Sequence, residues 1–101
     1  MHLRALITTR TPDEALALGR ALVEARLAAS AQVRPIETVY RWRGAVHAHP
    51  EAELALLTTA ARWPALLEAI SAQHSYVLPQ IIAQPILGTA EFLSWIDEST
   101  Q

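Results

Sequence analysis

Residues 37–60 read ETVYRWRGAVHAHPEAELALLTTA, and the alternation in the first half of this stretch constrains the fold more than anything else in the chain. Thr38, Tyr40 and Trp42 share one parity, and Val39, Arg41 and Arg43 share the other. An extended backbone sends the two sets to opposite faces, so aromatic rings line one side and guanidinium groups the other. Gly44 interrupts the pattern, Pro50 interrupts it again, and an apolar run from Leu54 to Leu57 follows. The economical reading is strand, turn, strand: a hairpin whose second arm is buried and whose tip, residues 47–53, is a solvated turn. None of its side chains is an obvious catalyst.

The flanking segments supply partners for this hairpin. Residues 2–9 are apolar on both parities, which marks an interior strand. Thr11, Pro12, Asp13 and Glu14 then form a helix start, with a capping hydroxyl, a proline suited to the first turn and two acids at the positive end of the dipole. Ala15, Leu18, Leu22, Ala25 and Ala29 recur at helical spacing, so this helix is expected to run to about Ala28 as a packing element. A second strand begins at Ser30, and Pro35 is expected to interrupt it at an edge or bulge. A second helix is expected over residues 59–74, with Pro64 in its first turn because an interior proline costs about 3 kcal/mol. An irregular linker, residues 74–80, leads to a fourth strand over residues 81–87, where Pro85 again argues for an edge. Phe92, Trp95 and Ile96 mark a short closing helix.

The order is strand, helix, strand, strand, helix, strand, helix. That is the α+β ferredoxin-like split βαβ pattern, an antiparallel sheet with both main helices on one face, in a single domain over residues 1–101. Composition narrows the function classes. A net charge of −2 gives no global field to recruit nucleic acid or an anionic membrane. The absence of cysteine excludes disulfides, thiolate metal sites and a cysteine nucleophile, and fits a cytoplasmic protein. No run is long and apolar enough to span a membrane, and no signal-peptide pattern opens the chain, so it is read as unsecreted. An apolar fraction of 51% in 101 residues, together with open sheet edges, favours self-association.

Five stretches, in order and spacing, resemble the CutA divalent-cation-tolerance family: ALVEARLAA, YRWRG, the Thr58-Thr59 pair ahead of the second helix, the His74-x-Tyr76-x-x-Pro79 linker, and FLSWIDEST. The resemblance covers essentially the whole chain. It implies a ferredoxin-like fold assembled as a homotrimer, with hairpin strands paired across subunits and no required cofactor. Five family positions differ in character here. Ser30 stands where cysteine is usual, Thr58 where lysine is usual, and the linker carries Ser75, Val77 and Gln80 in place of a proline and two glutamates.

The candidate sites follow from both readings. The resemblance points to Trp42, His74 and Tyr76 in an inter-subunit cleft, with Arg41 and Thr58 as neighbours, and to His74 as a metal ligand. His47 and His49, with Glu51 and Glu53 at the same parity, would point one way from an extended chain, and borderline metals such as copper or zinc accept imidazole and carboxylate donors. Tyr40, Trp42 and the arginines could instead form a base-stacking surface, but they alternate onto opposite faces, and subunit packing explains them better. An acylphosphatase-like enzyme of this fold would be expected to use asparagine, and the chain has none. The expected function is therefore non-enzymatic: divalent-metal tolerance or response in a homotrimer. The alternatives are a PII-like trimer that recognises a small anionic metabolite through arginine forks, and a scaffold without a ligand.

Overall fold

The computed structural model describes all 101 residues. The elements run β1 (His2–Thr9), α1 (Pro12–Glu24), β2 (Ser30–Trp42), β3 (Ala45–Thr59), α2 (Trp63–Gln73), β4 (Ile81–Pro85) and α3 (Ala90–Ser99). The sheet order is β2-β3-β1-β4 and every neighbouring pair is antiparallel, as the ferredoxin-like pattern requires. Even positions of β3 (Ala52, Leu54, Leu56) and odd positions of β1 (Ala5, Ile7) pack against Leu18 and Leu22 of α1 and Leu66 and Ile70 of α2. Both main helices therefore cover one face of the sheet.

The helices start as their sequences dictate. Thr11 caps α1 by accepting from the Glu14 amide at 3.2 Å, and Thr89 caps α3 by accepting from the Phe92 amide at 3.3 Å. Pro64 lies in the first turn of α2, where its missing N–H costs nothing. The end of α1 comes earlier than its apolar stripe suggests. Arg26 adopts a left-handed φ of 61°, its N–H reaches the Val23 carbonyl, and the Leu27 N–H reaches the Leu22 carbonyl, both at 3.0 Å. That is a Schellman cap with arginine in the place usually held by glycine. The second helix also starts late, at Trp63, because Thr58 and Thr59 complete β3 opposite Leu3 and His2.

The hairpin departs most from the sequence reading. Neither Pro35 nor Pro50 interrupts a strand: β2 and β3 pair without a bulge from Ser30↔Leu57 to Trp42↔Ala45. The turn is only Arg43 and Gly44, with φ of 50° and 82°, the two positive values that a type I′ loop demands. Residues 47–53 are thus β3 strand rather than a solvated tip. Proline is tolerated because β2 is an edge strand, and β1 pairs with β3 only from Ala52 onward, leaving Pro50 with a neighbour on one side. The end of β4 at Pro85, two residues short of the expected limit, is again an edge position.

Candidate functional site

At the open end of β1, the linker that follows α2 turns back over the hairpin and encloses a cleft of about 460 Å³. Three anchors hold this linker. The His74 Nε2 lies 2.7 Å from the Thr8 carbonyl, and its Nδ1 accepts the Tyr76 amide at 3.0 Å. The pair fixes the tautomer: Nε2–H donates and Nδ1 accepts. Ser75 Oγ donates to Glu14 Oε1 at 2.8 Å. The Tyr76 hydroxyl donates to Glu51 Oε2. Glu51 itself is only 6% exposed, and the Arg10 guanidinium lies 4.9 Å from the Tyr76 ring centroid. Burial, then the hydrogen bond to Glu51 and its negative charge, push the Tyr76 phenol well above the usual tyrosine range, with Arg10 opposing.

The opposite wall comes from the hairpin. Thr38, Tyr40, Arg41 and Trp42 of β2 and His49 of β3 line it. The Arg43 guanidinium covers the Trp42 ring at 5.3 Å, and Tyr40 Oη lies 2.8 Å from His49 Nε2. The Thr38 hydroxyl is shielded from solvent and finds no partner among the protein's own groups, an exception for a buried polar atom. Neither Arg41 nor Arg10 pairs with a carboxylate.

The structure brings Trp42, Arg41, Tyr76 and His49 together around the cleft. His74 stands behind it, with both ring nitrogens spent on the backbone, so a metal there would have to break one of those bonds. His47 lies further out along β3, stacked on Tyr40. Thr58 is displaced from the expected site: it is fully buried on the helix-covered face, where its hydroxyl donates to the Leu27 carbonyl at 2.7 Å and ties the exit of α1 to β3. Ser30, Val77 and Gln80 bring no thiolate or carboxylate, and no three His, Cys, Asp or Glu side chains gather anywhere. Sequence reasoning passed over Arg10 and gave Thr38 no role in a site, and it set Glu51 beside His47 and His49 rather than beneath Tyr76. Arg10 was discoverable, since it sits between the carboxyl end of β1 and a helix cap. The pairing of Glu51 with Tyr76 was not, because the two lie 25 residues apart.

This topology and cleft define a small ferredoxin-like domain with a polar pocket between its hairpin and its linker. Residues 3–99 match the model of the CutA1 divalent ion tolerance protein, and the chain belongs to that family. It is similar to the divalent-cation tolerance protein CutA of Thermus thermophilus, with 40% identity over 97 residues and 94% of each chain covered. The solved periplasmic divalent cation tolerance protein CutA of Archaeoglobus fulgidus shares 34% identity and a TM-score of 0.97 over 100% of both chains. The chloroplastic protein CutA of Arabidopsis thaliana is 33% identical over 97 residues, which span 94% of this chain and 53% of that protein. These relatives overturn the cytoplasmic expectation. Proteins of this fold and family are named as periplasmic and as chloroplastic, so a chain without cysteine is not thereby cytoplasmic.

Proposed function

We propose that this protein serves divalent-cation tolerance as a homotrimer that binds a small anionic ligand in the cleft between hairpin and linker, by recognition rather than turnover. The observation that carries this reading is that Arg10 and Arg41, neither of which pairs with a carboxylate, both line the cleft that holds the shielded, unpartnered hydroxyl of Thr38. Guanidinium forks hold carboxylate or phosphate in two-pronged geometry, and the faces of Trp42 and Tyr76 suit a flat ring beside it. The groups that would suggest catalysis are engaged elsewhere. His74 uses both nitrogens to shape the linker, and Ser75 donates to Glu14 rather than to a base.

Support for the trimer comes from the surface. β2 and β4 are open edges, and Val39 and Val46 stand 72% and 62% exposed on the projecting hairpin. Calorimetric titration with inorganic phosphate, dicarboxylates and nucleotides tests the ligand class. Saturable binding by at least one of these, weakened about tenfold or more by Arg41→Ala, is expected, since a charge-assisted hydrogen bond contributes about 1.5–3 kcal/mol. No binding across the panel, or binding indifferent to Arg41→Ala, would overturn the reading.

A further inference from the structure

Glu51 is the only charged side chain buried in this protein, and no basic group pairs with it. Buried charges are ordinarily paired, because one neutral hydrogen bond does not offset the cost of leaving water. Glu51 has just that one bond, from the Tyr76 hydroxyl to Oε2. Its Oε1 accepts nothing from the chain, yet it is not sealed off as the Thr38 hydroxyl is, so it opens onto the cleft that Glu51 lines. The hairpin register sets Glu51 opposite Ile36 and His49 opposite Thr38. Thr38 and Glu51 are therefore diagonal neighbours on the sheet face turned away from α1 and α2. A carboxylate oxygen and an unpartnered hydroxyl, both able to accept an N–H, stand side by side.

The positive charge of the cleft lies across Tyr76. The Arg10 guanidinium is 4.9 Å from the centroid of the ring whose hydroxyl holds Glu51. One side chain thus touches both groups and stands between them, and Arg10 and Glu51 form no ion pair. Arg41 adds a second guanidinium to the lining. A cleft that holds unpaired charge of both signs is complementary to a molecule that carries both.

We infer that the ligand of this cleft is a zwitterion, an α-amino acid with an aromatic side chain, whose ammonium is received by Glu51 Oε1 and the Thr38 hydroxyl while its carboxylate lies against Arg10. The inference rests on the proposed anion reading and narrows its ligand class. An ammonium has three N–H donors, enough for both oxygens and a water, and a guanidinium fork receives a carboxylate in two-pronged geometry. The rings of Tyr40, Trp42 and Tyr76 border the space left for the side chain, and a cleft of about 460 Å³ is of the size that takes a small molecule. Phosphate or a dicarboxylate without an amine leaves Glu51 unmatched and binds more weakly. An amine without a carboxylate leaves the arginines unmatched.

The test titrates L-phenylalanine, L-tyrosine and L-tryptophan calorimetrically into the unaltered protein and into Glu51→Gln. The tightest binder is then compared with its deaminated acid and its decarboxylated amine. Glu51→Gln keeps the volume and an acceptor for Tyr76 but removes the charge. Saturable binding of at least one amino acid is expected, about tenfold or more tighter than that of either analogue, with the advantage over the acid lost in Glu51→Gln. The acid itself binds the variant no more weakly than the unaltered protein, a result that a merely structural Glu51 would not give. Absence of amino-acid binding, an acid that binds as tightly as its amino acid, or an amino-acid affinity indifferent to Glu51→Gln overturns the inference. The comparison of analogues on the unaltered protein decides the question even if the variant folds poorly. The two readings fail separately. Arg41-dependent anion binding with no preference for the ammonium removes the zwitterion and leaves the anion, whereas silence from every amino acid and every anion removes both.

Discussion

Tyr76 shows how much one hydroxyl can govern. It is the only hydrogen-bond partner of the Glu51 side chain, and that carboxylate is buried. Tyr76→Phe keeps the ring and its contact with Arg10 but leaves a buried acceptor unmet, so a loss of about 1–3 kcal/mol is expected in denaturant unfolding at neutral pH. Glu51→Gln retains an acceptor and should be milder. The same bond makes stability depend on pH. The phenol ionises at higher pH in the folded chain than the usual tyrosine value near 10.0, so above that value the unfolded chain loses a proton that the folded one keeps. The stabilisation is therefore complete below pH 10 and drains away as pH rises toward the folded value. Unfolding midpoints compared between about pH 9 and pH 11 should fall more steeply in the unaltered protein than in Tyr76→Phe. Arg26 is a second residue with two opposed effects. Its backbone carries left-handed strain, while its guanidinium donates to the Glu98 and Gln101 carbonyls at 2.8 Å each. Arg26→Ala loses the clamp and keeps the strain, whereas Arg26→Gly loses the clamp but relieves the strain. Glycine should therefore be less destabilising than alanine by roughly 1 kcal/mol in thermal melts.

At the level of elements, α1 sits close to the sheet because Gly19 has no side chain. A Cβ built there would lie 2.8 Å from the Ala31 Cβ and 3.0 Å from Leu54 Cδ1. An alanine Cβ cannot swing aside, so Gly19→Ala must push α1 away from β2. The overpacking cost of about 1–3 kcal/mol should outweigh the gain in helix propensity of about 1 kcal/mol. A lower unfolding midpoint, with α1 still helical by circular dichroism, is the expected result. The identity and order of the elements were legible in the sequence, because period 2 and period 3.6 persist over most of their lengths. Their limits were less so. Pro35 and Pro50 read as breaks because the cost of a proline depends on whether a neighbouring strand needs its N–H, and that is a property of the sheet rather than of the local sequence. Thr58 misled for a similar reason. A hydroxyl at the end of a strand looks the same on paper whether it faces a cleft or, as here, the Leu27 carbonyl. Trp42, Arg41 and Tyr76 stand out locally and line the cleft, while the role of Glu51 is intelligible only through a residue distant in sequence.

For the whole molecule, shape bears on assembly. The chain measures 45 × 24 × 21 Å with a radius of gyration of 14.1 Å, against about 13 Å expected for a compact domain of 100 residues. The excess lies in the hairpin, whose outer part runs past the end of β1. Val39 and Val46 lie on that outer part at parities continuous with the helix-covered face, yet no helix reaches them. A lone chain would hold two β-branched apolar side chains in water on a two-stranded arm that is marginal by itself. The proposed trimer removes both difficulties by setting the arm against a neighbouring copy. Placing carboxylates at both positions, Val39→Glu with Val46→Glu, would bury unpaired charge in that contact and cost several kcal/mol per interface, while a lone arm would tolerate them in solvent. Equilibrium sedimentation at micromolar concentration should give the mass of three chains for the unaltered protein and a shift to one chain for the double variant, with its circular dichroism spectrum retained. An unaltered protein that sediments as a folded single chain would refute the assembly, and a double variant that remains trimeric would place the contact somewhere other than this arm.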